Sequence, residues 1–327
     1  MIKDNFNRPV LNLRISVTQR CNLHCPYCHR EGQEKEPNDS VIEMTAAEII
    51  RLAKIAISLG IGKIKLTGGE PLLRKDILDV VAGIAGLEGL QDLSMTTNGA
   101  FLESLAKDLQ ARGLMRVNIS LPSLTADIYG ELMGGNLEDV LRGVSAAVDA
   151  GLYPVKLNML VLAGVNEDEI PAMIQFARKS DTLLQLIELE PINISKKYYE
   201  RYLYPLDKVE ADLAKRALNV EVRPYMQNRR IYHLPDGRVE VIRPTENTEF
   251  CTHCTRLRIT SDGKLKPCLM VNTNLVDILT PLRNGATKEQ LKKLFAQTCR
   301  RREPYYKPPT YQVVKQNCLS SLRPQED

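Results

Sequence analysis

The sequence predicts an α/β fold in which parallel strands alternate with helices, followed by a smaller α+β segment. Between residues 10 and 190, six short apolar runs each precede a longer amphipathic stretch, which is the pattern of strand–helix units in a parallel sheet. The alternation ends near residue 191, whereas a closed eight-stranded barrel needs about 250 residues. We therefore expect a partial (β/α)6 barrel of TIM type, with an open doubly wound sheet as the alternative.

The periodicity of apolar residues and the residues that begin and end helices define the six units. We expect strands at residues 11–16, 63–66, 92–96, 117–120, 155–162 and 183–189. We expect helices at residues 45–59, 74–86, 100–112, 125–132, 136–150 and 166–179. Thr45 with Glu48 has the pattern of a capping box, and Gly60, Gly113 and Gly151 stand where helices should end.

The segment beyond residue 200 has a different pattern, in which a Pro-Asp-Gly turn joins two short strand-like runs. Its expected elements are helices at residues 206–218 and 288–298, a hairpin of residues 230–234 and 238–242, and an extended, proline-rich tail at residues 302–309. We therefore divide the chain into a barrel domain, residues 1–195, and a C-terminal segment, residues 196–327.

Composition excludes several classes of protein. Of 327 residues, 43% are hydrophobic and 26% are charged, which is typical of a globular protein rather than a disordered chain or a coiled coil. No apolar run approaches the length of a membrane span. The residues before Pro9 form no apolar stretch, so we expect no secretory signal and a cytoplasmic location. The net charge of +4 is too small to indicate binding to nucleic acid or to a membrane.

The first group of cysteines follows the first predicted strand, at Cys21, Cys25 and Cys28. In a chain without a secretory signal, clustered thiols are typical of metal binding or catalysis. Three thiolates on one short loop can hold three irons of a [4Fe–4S] cluster and leave the fourth iron open to a small chelating molecule. The alternative is a zinc site with His24 or His29 as the fourth ligand.

Two glycines follow the second predicted strand, in the sequence Gly68-Gly69-Glu70-Pro71. Because parallel strands end at the same edge of a sheet, we expect these glycines beside the first cysteine group. They would permit close approach of the backbone to a ligand such as an amino acid, and a plain turn before a helix is the alternative. The sequence contains neither a P-loop nor a well-placed dinucleotide-binding pattern.

A second group of three cysteines lies in the C-terminal segment, at Cys251, Cys254 and Cys268. Arg256 and Arg258 lie on a predicted strand, where alternate residues point to the same side. Paired guanidiniums beside an incompletely ligated metal favour an anionic or purine ligand. The alternatives are a zinc ribbon completed by His253 or by a distant cysteine, and a solvent-facing pair of arginines. Cys299 and Cys318 stand alone, and we expect them to be buried apolar residues.

These motifs resemble the radical S-adenosylmethionine (SAM) superfamily, because Tyr27 precedes the last cysteine of the Cys-x3-Cys-x2-Cys loop and Gly-Gly-Glu-Pro follows the second strand. The resemblance implies a partial (β/α)6 barrel and a [4Fe–4S] cluster whose open iron binds SAM. It also implies that one electron from the cluster cleaves SAM to methionine and a 5′-deoxyadenosyl radical, which abstracts hydrogen from unactivated C–H bonds.

The sequence from Phe250 to Leu269 narrows the resemblance to the MoaA family of GTP 3′,8-cyclases, and the similarity begins as early as Leu13. The resemblance implies a lyase that converts GTP to (8S)-3′,8-cyclo-7,8-dihydroguanosine 5′-triphosphate by abstraction of the ribose H3′. This reaction is the first step of molybdenum cofactor biosynthesis. The resemblance also implies a second [4Fe–4S] cluster in the C-terminal segment, whose open iron binds the guanine.

The resemblance assigns residues to each part of the site. The cluster ligands are Cys21, Cys25, Cys28, Cys251, Cys254 and Cys268. The SAM contacts are Tyr27, Gly68, Gly69, Glu70 and Ser120. The GTP contacts are Arg14, Lys65, Thr96, Lys156, Arg256 and Arg258, and the last two are also assigned as catalytic. The chain departs from the family pattern at Lys65 and Gln185, where many relatives have arginine, at Glu190, where methionine is common, and in ending without a diglycine.

The same resemblance implies partners. They are GTP as substrate, an electron donor such as ferredoxin or flavodoxin, and cyclic pyranopterin monophosphate synthase as the next enzyme. A homodimer is compatible with the resemblance. No nucleic acid or membrane partner is expected. Two other interpretations stay open. One is a radical SAM enzyme that modifies a peptide and uses the C-terminal cluster for electron transfer, and the other is a non-enzymatic module that binds two zinc ions.

Overall fold

The computed structural model describes residues 1–33 and 43–307, and one sheet of twelve strands runs through these residues. Its centre consists of six parallel strands that follow one another in chain order, as predicted. They are β1 (Asn12–Ser16), β2 (Lys63–Thr67), β3 (Asp92–Thr97), β4 (Arg116–Ser120), β5 (Lys156–Leu160) and β6 (Leu183–Ile187).

The predicted helices connect these strands. They are α1 (Ala46–Ser58), α2 (Ile77–Ala85), α3 (Leu102–Ala111), α4 (Ala126–Met133), α5 (Leu137–Asp149) and α6 (Ile170–Lys179). The capping box is present at the start of α1, because Thr45 and Glu48 each accept a hydrogen bond from the backbone N–H of the other. Gly60, just after α1, has a φ of +85°, a conformation that glycine adopts without strain.

The C-terminal segment adds strands to both edges of the parallel sheet. The strands beside β6 are β7 (Asn219–Arg223), β8 (Arg229–Leu234) and β9 (Gly237–Ile242). The strands beside β1 are β10 (Arg256–Ile259), β11 (Lys264–Lys266) and β12 (Val276–Asp277). β8 and β9 form the predicted hairpin, and β9 and β10 pair in parallel with β6 and β1. Because the described strand order ends at β12 and β7, the barrel is open and the predicted partial (β/α)6 barrel is confirmed.

The C-terminal segment also contributes helices. They are α7 (Lys196–Tyr202), α8 (Asp207–Arg216), α9 (Thr248–Thr252), α10 (Leu279–Arg283) and α11 (Lys288–Arg300). α8 and α11 confirm two predicted helices, and Cys299 is buried in α11 as expected. Residues 302–307 are not helical, whereas residues 308–309 of the predicted tail and Cys318 lie outside the described residues. Within the described ranges, every helix is too short or too polar to span a membrane.

The two sides of the parallel strands differ in chemistry. Leu13 and Ile15 of β1 are fully buried in the hydrophobic core, as are the corresponding residues of the neighbouring strands. Each such side chain contributes on the order of 1.5–3 kcal/mol by leaving water. The alternate residues Asn12 and Arg14 point to the other side of the strand and line a cavity inside the open barrel. The core therefore lies between the sheet and the helices, and charged and polar side chains of the strands reach into the barrel interior.

Candidate functional site

The open barrel encloses a cavity of about 280 Å³, which brings together most of the predicted site residues. Those that line it are Arg14, Cys21, Cys25, Tyr27, Cys28, Lys65, Gly68, Gly69, Thr96, Ser120, Lys156, Arg256 and Arg258. An adjoining cavity of about 60 Å³ is lined by Cys251, Cys254 and Cys268 and shares Arg256 and Arg258 with the first. The two cysteine groups therefore face spaces that meet at this pair of arginines.

The first cysteine group lies in the loop after β1. The Sγ of Cys21 accepts a hydrogen bond from the Leu23 N–H at 3.4 Å, and the Cys28 N–H donates to the Cys25 carbonyl at 3.1 Å. Burial, together with the charges of Cys28 and Cys21, raises the pKa of the Cys25 thiol to about 12. These thiols would ionise readily only when a bound metal supplies positive charge, which fits a cluster site.

Single-ion metal sites need ligands that converge on one point. In residues 1–33 and 43–307, no three Cys, His, Asp or Glu side chains are grouped in this way. An iron–sulfur cube instead binds each thiolate at a different iron. Each cysteine group therefore fits a cluster because its three thiols line a cavity, where each thiolate could bind a different iron.

The glycine loop, residues 68–70, holds the segment that leads into the first cysteine group. The N–H of Gly69 donates to the Thr18 carbonyl and that of Glu70 donates to the Arg20 carbonyl, both at 2.8 Å. A Cβ at Gly68 would lie 2.3 Å from the Thr18 carbonyl oxygen, and one at Gly69 would lie 2.2 Å from the Arg20 carbonyl oxygen. The sequence predicts that the glycines permit close approach of the backbone, and in the structure the groups that approach them are backbone carbonyls of this chain beside the cavity.

We expect Gly69→Ala to disturb the first cysteine group, because the added methyl group overlaps the Arg20 carbonyl oxygen. Overpacking of this kind costs about 1–3 kcal/mol, so the melting temperature should fall by a few degrees and the protein should retain less iron. Anaerobic calorimetry and iron analysis measure both. Gly86→Ala is the control, because its Cβ would meet only the Ala82 carbonyl oxygen, at 3.6 Å. Equal stability and iron content in the two variants would contradict the prediction.

Glu70 lies behind the cavity wall and does not line the cavity. Its buried carboxyl group accepts hydrogen bonds from the Leu72 N–H at 3.0 Å, the Thr97 hydroxyl at 2.8 Å and the Asn98 N–H at 2.7 Å. Burial raises the pKa of Glu70 to about 7. Glu70 therefore ties the glycine loop to the end of β3, and its contact with SAM stays a prediction.

Met133, at the end of α4, is a buried neighbour of the first cysteine group that the sequence pattern does not indicate. Its Sδ accepts a hydrogen bond from the Tyr27 hydroxyl at 3.0 Å and lies 3.5 Å from the Sγ of Cys25. Because an isolated methionine in a helix has the same pattern as a core residue, only the fold brings it to the cluster site.

A row of positive charges crosses the cavity on three neighbouring strands. Arg14 of β1 is in register with Lys65 of β2 on one side and with Arg258 of β10 on the other. Burial lowers the pKa of Lys65 well below its usual value, and the charges of nearby arginines lower it further. A polyanion bound here would relieve the mutual repulsion of these cations.

Glu31 is a site residue that the sequence does not indicate, apart from its place in the loop after the first cysteine group. Its Oε1 accepts hydrogen bonds from the Thr67 hydroxyl at 2.9 Å and from Arg14 at 3.2 Å, and its Oε2 lies 3.5 Å from the Nε of Arg258. Burial would raise the pKa of Glu31, but the charges of Arg14 and other basic neighbours outweigh it and hold the pKa well below its usual range. An ionised carboxylate thus links two predicted GTP contacts.

Arg256 lies where the two cavities meet, and no described residue forms a hydrogen bond or an ion pair with its guanidinium. Burial lowers the pKa of Arg256 well below its usual value, and the charges of Arg14, Arg229 and Arg258 add to the shift. The Nε of Arg258 is also buried without a hydrogen-bond partner among the described residues. The guanidinium of Arg256 can therefore bind an anion or a hydrogen-bond acceptor, whereas the Nε of Arg258 faces the Glu31 carboxylate at 3.5 Å.

The second cysteine group has strongly basic surroundings. Burial would raise the pKa of Cys254, but the charges of Arg302, Arg8 and Arg256 lower it to about 7. Arg8 donates a hydrogen bond to the Cys251 carbonyl at 2.7 Å, and Arg302 donates one to the Cys254 carbonyl at 2.5 Å. Burial raises the pKa of Cys251 and Cys268, so Cys254 is the thiol of this group that ionises most readily and binds a metal most readily.

A chain of hydrogen bonds links Lys65 and Lys156, which both line the cavity. Lys65 donates to the Asn118 side-chain oxygen at 2.6 Å, and the Asn118 amide donates to the Gln185 side-chain oxygen at 2.6 Å. The Gln185 amide donates to Glu240, which also accepts from the Nζ of Lys156 at 2.8 Å. Burial lowers the pKa of Lys156 to about 8, although Glu240 opposes the shift. The hairpin pattern of the sequence does not reveal that Glu240 reaches this site.

Two family models match the chain. The model described as Radical SAM superfamily covers residues 15–177, and the model described as Molybdenum Cofactor Synthesis C covers residues 182–308. A probable GTP 3′,8-cyclase of Methanothermobacter thermautotrophicus is 45% identical over 309 residues, which are 94% of this chain and 99% of the relative. A probable GTP 3′,8-cyclase of Thermococcus kodakarensis is 49% identical over 314 residues, which are 94% of this chain and 100% of the relative. The chain belongs to the GTP 3′,8-cyclase family.

Membership of the GTP 3′,8-cyclase family, within the radical SAM superfamily, confirms the resemblance found in the motifs and implies one [4Fe–4S] cluster and SAM. Solved structures share the fold. Streptococcus suis SuiB bound to S-adenosylmethionine has a TM-score of 0.62 at 17% identity, with 87% of this chain and 68% of that chain covered. anSMEcpe with bound AdoMet has a TM-score of 0.53 at 18% identity, with 80% of this chain and 74% of that chain covered.

Proposed function

We propose that this chain is a radical SAM lyase that converts GTP to (8S)-3′,8-cyclo-7,8-dihydroguanosine 5′-triphosphate, the first step of molybdenum cofactor biosynthesis. The observation that carries the proposal is a cavity lined by cations between two groups of three thiols. The names of the curated relatives support it. The first cluster and SAM, when bound, would supply a 5′-deoxyadenosyl radical for abstraction of the ribose H3′.

The proposed cofactors are two [4Fe–4S] clusters and SAM. Cys21, Cys25 and Cys28 would hold the first cluster, and Cys251, Cys254 and Cys268 would hold the second. Tyr27, Gly68, Gly69, Glu70 and Ser120 would contact SAM. Because each cysteine group supplies three thiols, each cluster would keep one iron open, the first for SAM and the second for the guanine.

The residues of the cavity wall would bind and orient GTP between the two clusters. Arg14, Lys65 and Lys156 supply positive charge for the triphosphate, and Thr96 supplies a hydroxyl group. Arg256 and Arg258 would fix the nucleoside end, since both lie where the two cavities meet. Fixing the substrate at both ends limits which C–H bond comes within reach of the radical, so orientation is the main contribution of these residues to the rate.

Anaerobic reconstitution with metal analysis, followed by mass analysis of the nucleotide formed from GTP, SAM and a reductant, tests the proposal. We expect about eight irons and eight sulfides per chain and a product isomeric with GTP, because the substrate loses one hydrogen atom and later regains one. Two zinc ions per chain, or the absence of a GTP-derived product, would overturn the proposal. Modification of a peptide under the same conditions would favour the alternative radical SAM activity.

We expect the KM for GTP to rise above about pH 8, because Lys156 binds phosphate well only while it is protonated and its pKa is about 8. Each further pH unit removes about nine-tenths of the remaining charged form. Steady-state kinetics between about pH 7 and 9.5 measure the effect. Lys156→Arg should abolish the rise, because arginine stays protonated over this range. A KM that does not change with pH in the parent enzyme would count against Lys156 as a phosphate ligand.

The remaining partners belong to the same proposal. The chain would receive electrons from a ferredoxin or flavodoxin in the cytoplasm and pass its product to cyclic pyranopterin monophosphate synthase. A homodimer is compatible with this role. The division into a barrel domain, residues 1–195, and a C-terminal segment, residues 196–327, stays a prediction.

A further inference from the structure

Glu240 is a buried carboxylate behind the cavity wall to which the proposed function assigns no role. It lies on β9, in register with Gln185 of β6 and with Ile231 of β8. Its side chain is 0% exposed. Because an ionised carboxylate is costly to bury unless it is paired, its partners should explain its presence.

Four side chains converge on this carboxylate. The Nζ of Lys156 donates to Oε2 at 2.8 Å, and the Gln185 amide donates to the same oxygen. Arg223 donates to Oε1 at 2.8 Å, and the Nε of Arg229 lies 3.4 Å from Oε1. Three cations therefore surround one anion, and the cluster keeps an excess of positive charge.

This excess charge faces the cavity. Lys156, Gln185 and Arg229 line the cavity, whereas Glu240 and Arg223 lie behind them. The Nε of Arg229 donates to the Met226 carbonyl at 2.9 Å. The two terminal nitrogens of Arg229 have no hydrogen-bond partner in the part of the chain that the structure describes.

We propose that Arg229 is a further substrate-binding residue that contacts phosphate, and that Glu240 is a positioning residue that holds Lys156 and Arg229 side by side. The inference rests on the proposed function, because it takes a nucleoside triphosphate as the occupant of the cavity. Without the carboxylate, Lys156, Arg223 and Arg229 repel one another at close range. Glu240 binds these cations from behind, so their remaining donors are free to bind the phosphates.

Steady-state kinetics and GTP binding by the reconstituted holoenzyme test the inference. We expect Glu240→Gln and Arg229→Gln each to raise the KM and the Kd for GTP at least tenfold, while kcat at saturating GTP changes less than threefold. Arg229→Lys should restore part of the affinity. Formation of 5′-deoxyadenosine from SAM without GTP is measured beside these constants, so that damage to the SAM site is distinguished from loss of affinity for GTP. Glu221→Gln is the control, because Glu221 is an exposed carboxylate on β7 that pairs with His233 at 3.6 Å and does not line the cavity.

The possible results separate this inference from the proposed function. If the parent holoenzyme does not bind GTP, the proposed function is wrong. If it binds GTP and both Glu240→Gln and Arg229→Gln keep the parent KM and Kd, the inference alone is wrong. Should Glu240→Gln fail to fold, the double variant Glu240→Gln/Arg223→Met restores the charge balance and allows the same measurement. If neither of these Glu240 variants folds, the KM and Kd of Arg229→Gln test the inference, because this variant leaves the buried carboxylate in place.

Discussion

Cys25→Ser should abolish formation of 5′-deoxyadenosine from SAM. Serine keeps the size of the side chain, but its hydroxyl group does not ionise near neutral pH and is a poor iron ligand. Because the second cysteine group keeps its own ligands, the iron content should fall by only about half, from about eight irons per chain. Chromatography of the nucleoside products and iron analysis under anaerobic conditions measure the two effects.

Cys299→Ser is the matched control for this experiment. Cys299 is buried in α11 and belongs to neither cysteine group, so this variant should keep both its iron and its SAM cleavage even if its melting temperature falls. SAM cleavage at the parent rate in Cys25→Ser would show that Cys25 is not a ligand of the first cluster.

The double variant Arg256→Gln/Arg258→Gln should no longer form the cyclised nucleotide, but it should continue to cleave SAM. SAM cleavage would then be uncoupled from the conversion of GTP. Both guanidiniums lie where the two cavities meet. Loss of one preorganised charged contact to a reacting substrate costs about 10²–10³-fold in rate, so we expect product formation to fall at least that far. Simultaneous measurement of 5′-deoxyadenosine and of the nucleotide product gives the ratio of cleavage to cyclisation.

Arg216→Gln provides the comparison for the arginine variants. Arg216 is exposed on α8, where it pairs with Asp212 and Asp236 at the surface, and its loss should leave the ratio of cleavage to cyclisation unchanged. Full turnover in Arg256→Gln/Arg258→Gln would exclude these arginines from binding the substrate.

The barrel could be predicted because each strand–helix unit carries its own local pattern, but the ends of the elements could not. The strand predicted at residues 155–162 stops at Leu160, although Val161 and Leu162 are fully buried. Val161 still donates a backbone hydrogen bond to the Ile187 carbonyl, at 3.0 Å, and Leu162 forms an isolated bridge with Leu203. The run of apolar residues therefore continues beyond the regular ladder with β6. The helix predicted at residues 74–86 begins only at Ile77, because a 3-10 turn at Pro71–Leu73 ends in an extended backbone at Arg74.

The candidate site could be predicted where its chemistry is local in the sequence. The cysteine groups and the Arg256–Arg258 pair are short motifs, and the fold brings them to neighbouring cavities. The sequence does not indicate three residues of the site, because each contacts its partners only after distant segments of the chain come together. They are Glu31, Arg229 and Glu240. An isolated charged residue on a strand has the same pattern as a surface residue, and only the register of β6 with β9 brings Glu240 behind the cavity wall.

In the proposed binding mode, GTP lies between the two cysteine groups with its ribose C3′ nearest to the SAM site. GTP labelled with deuterium at C3′ tests it most directly, with mass analysis of the 5′-deoxyadenosine formed during turnover. The proposed arrangement predicts that one deuterium atom appears in the 5′-deoxyadenosine. Unlabelled 5′-deoxyadenosine, formed alongside a cyclised product that still carries the label, would contradict it.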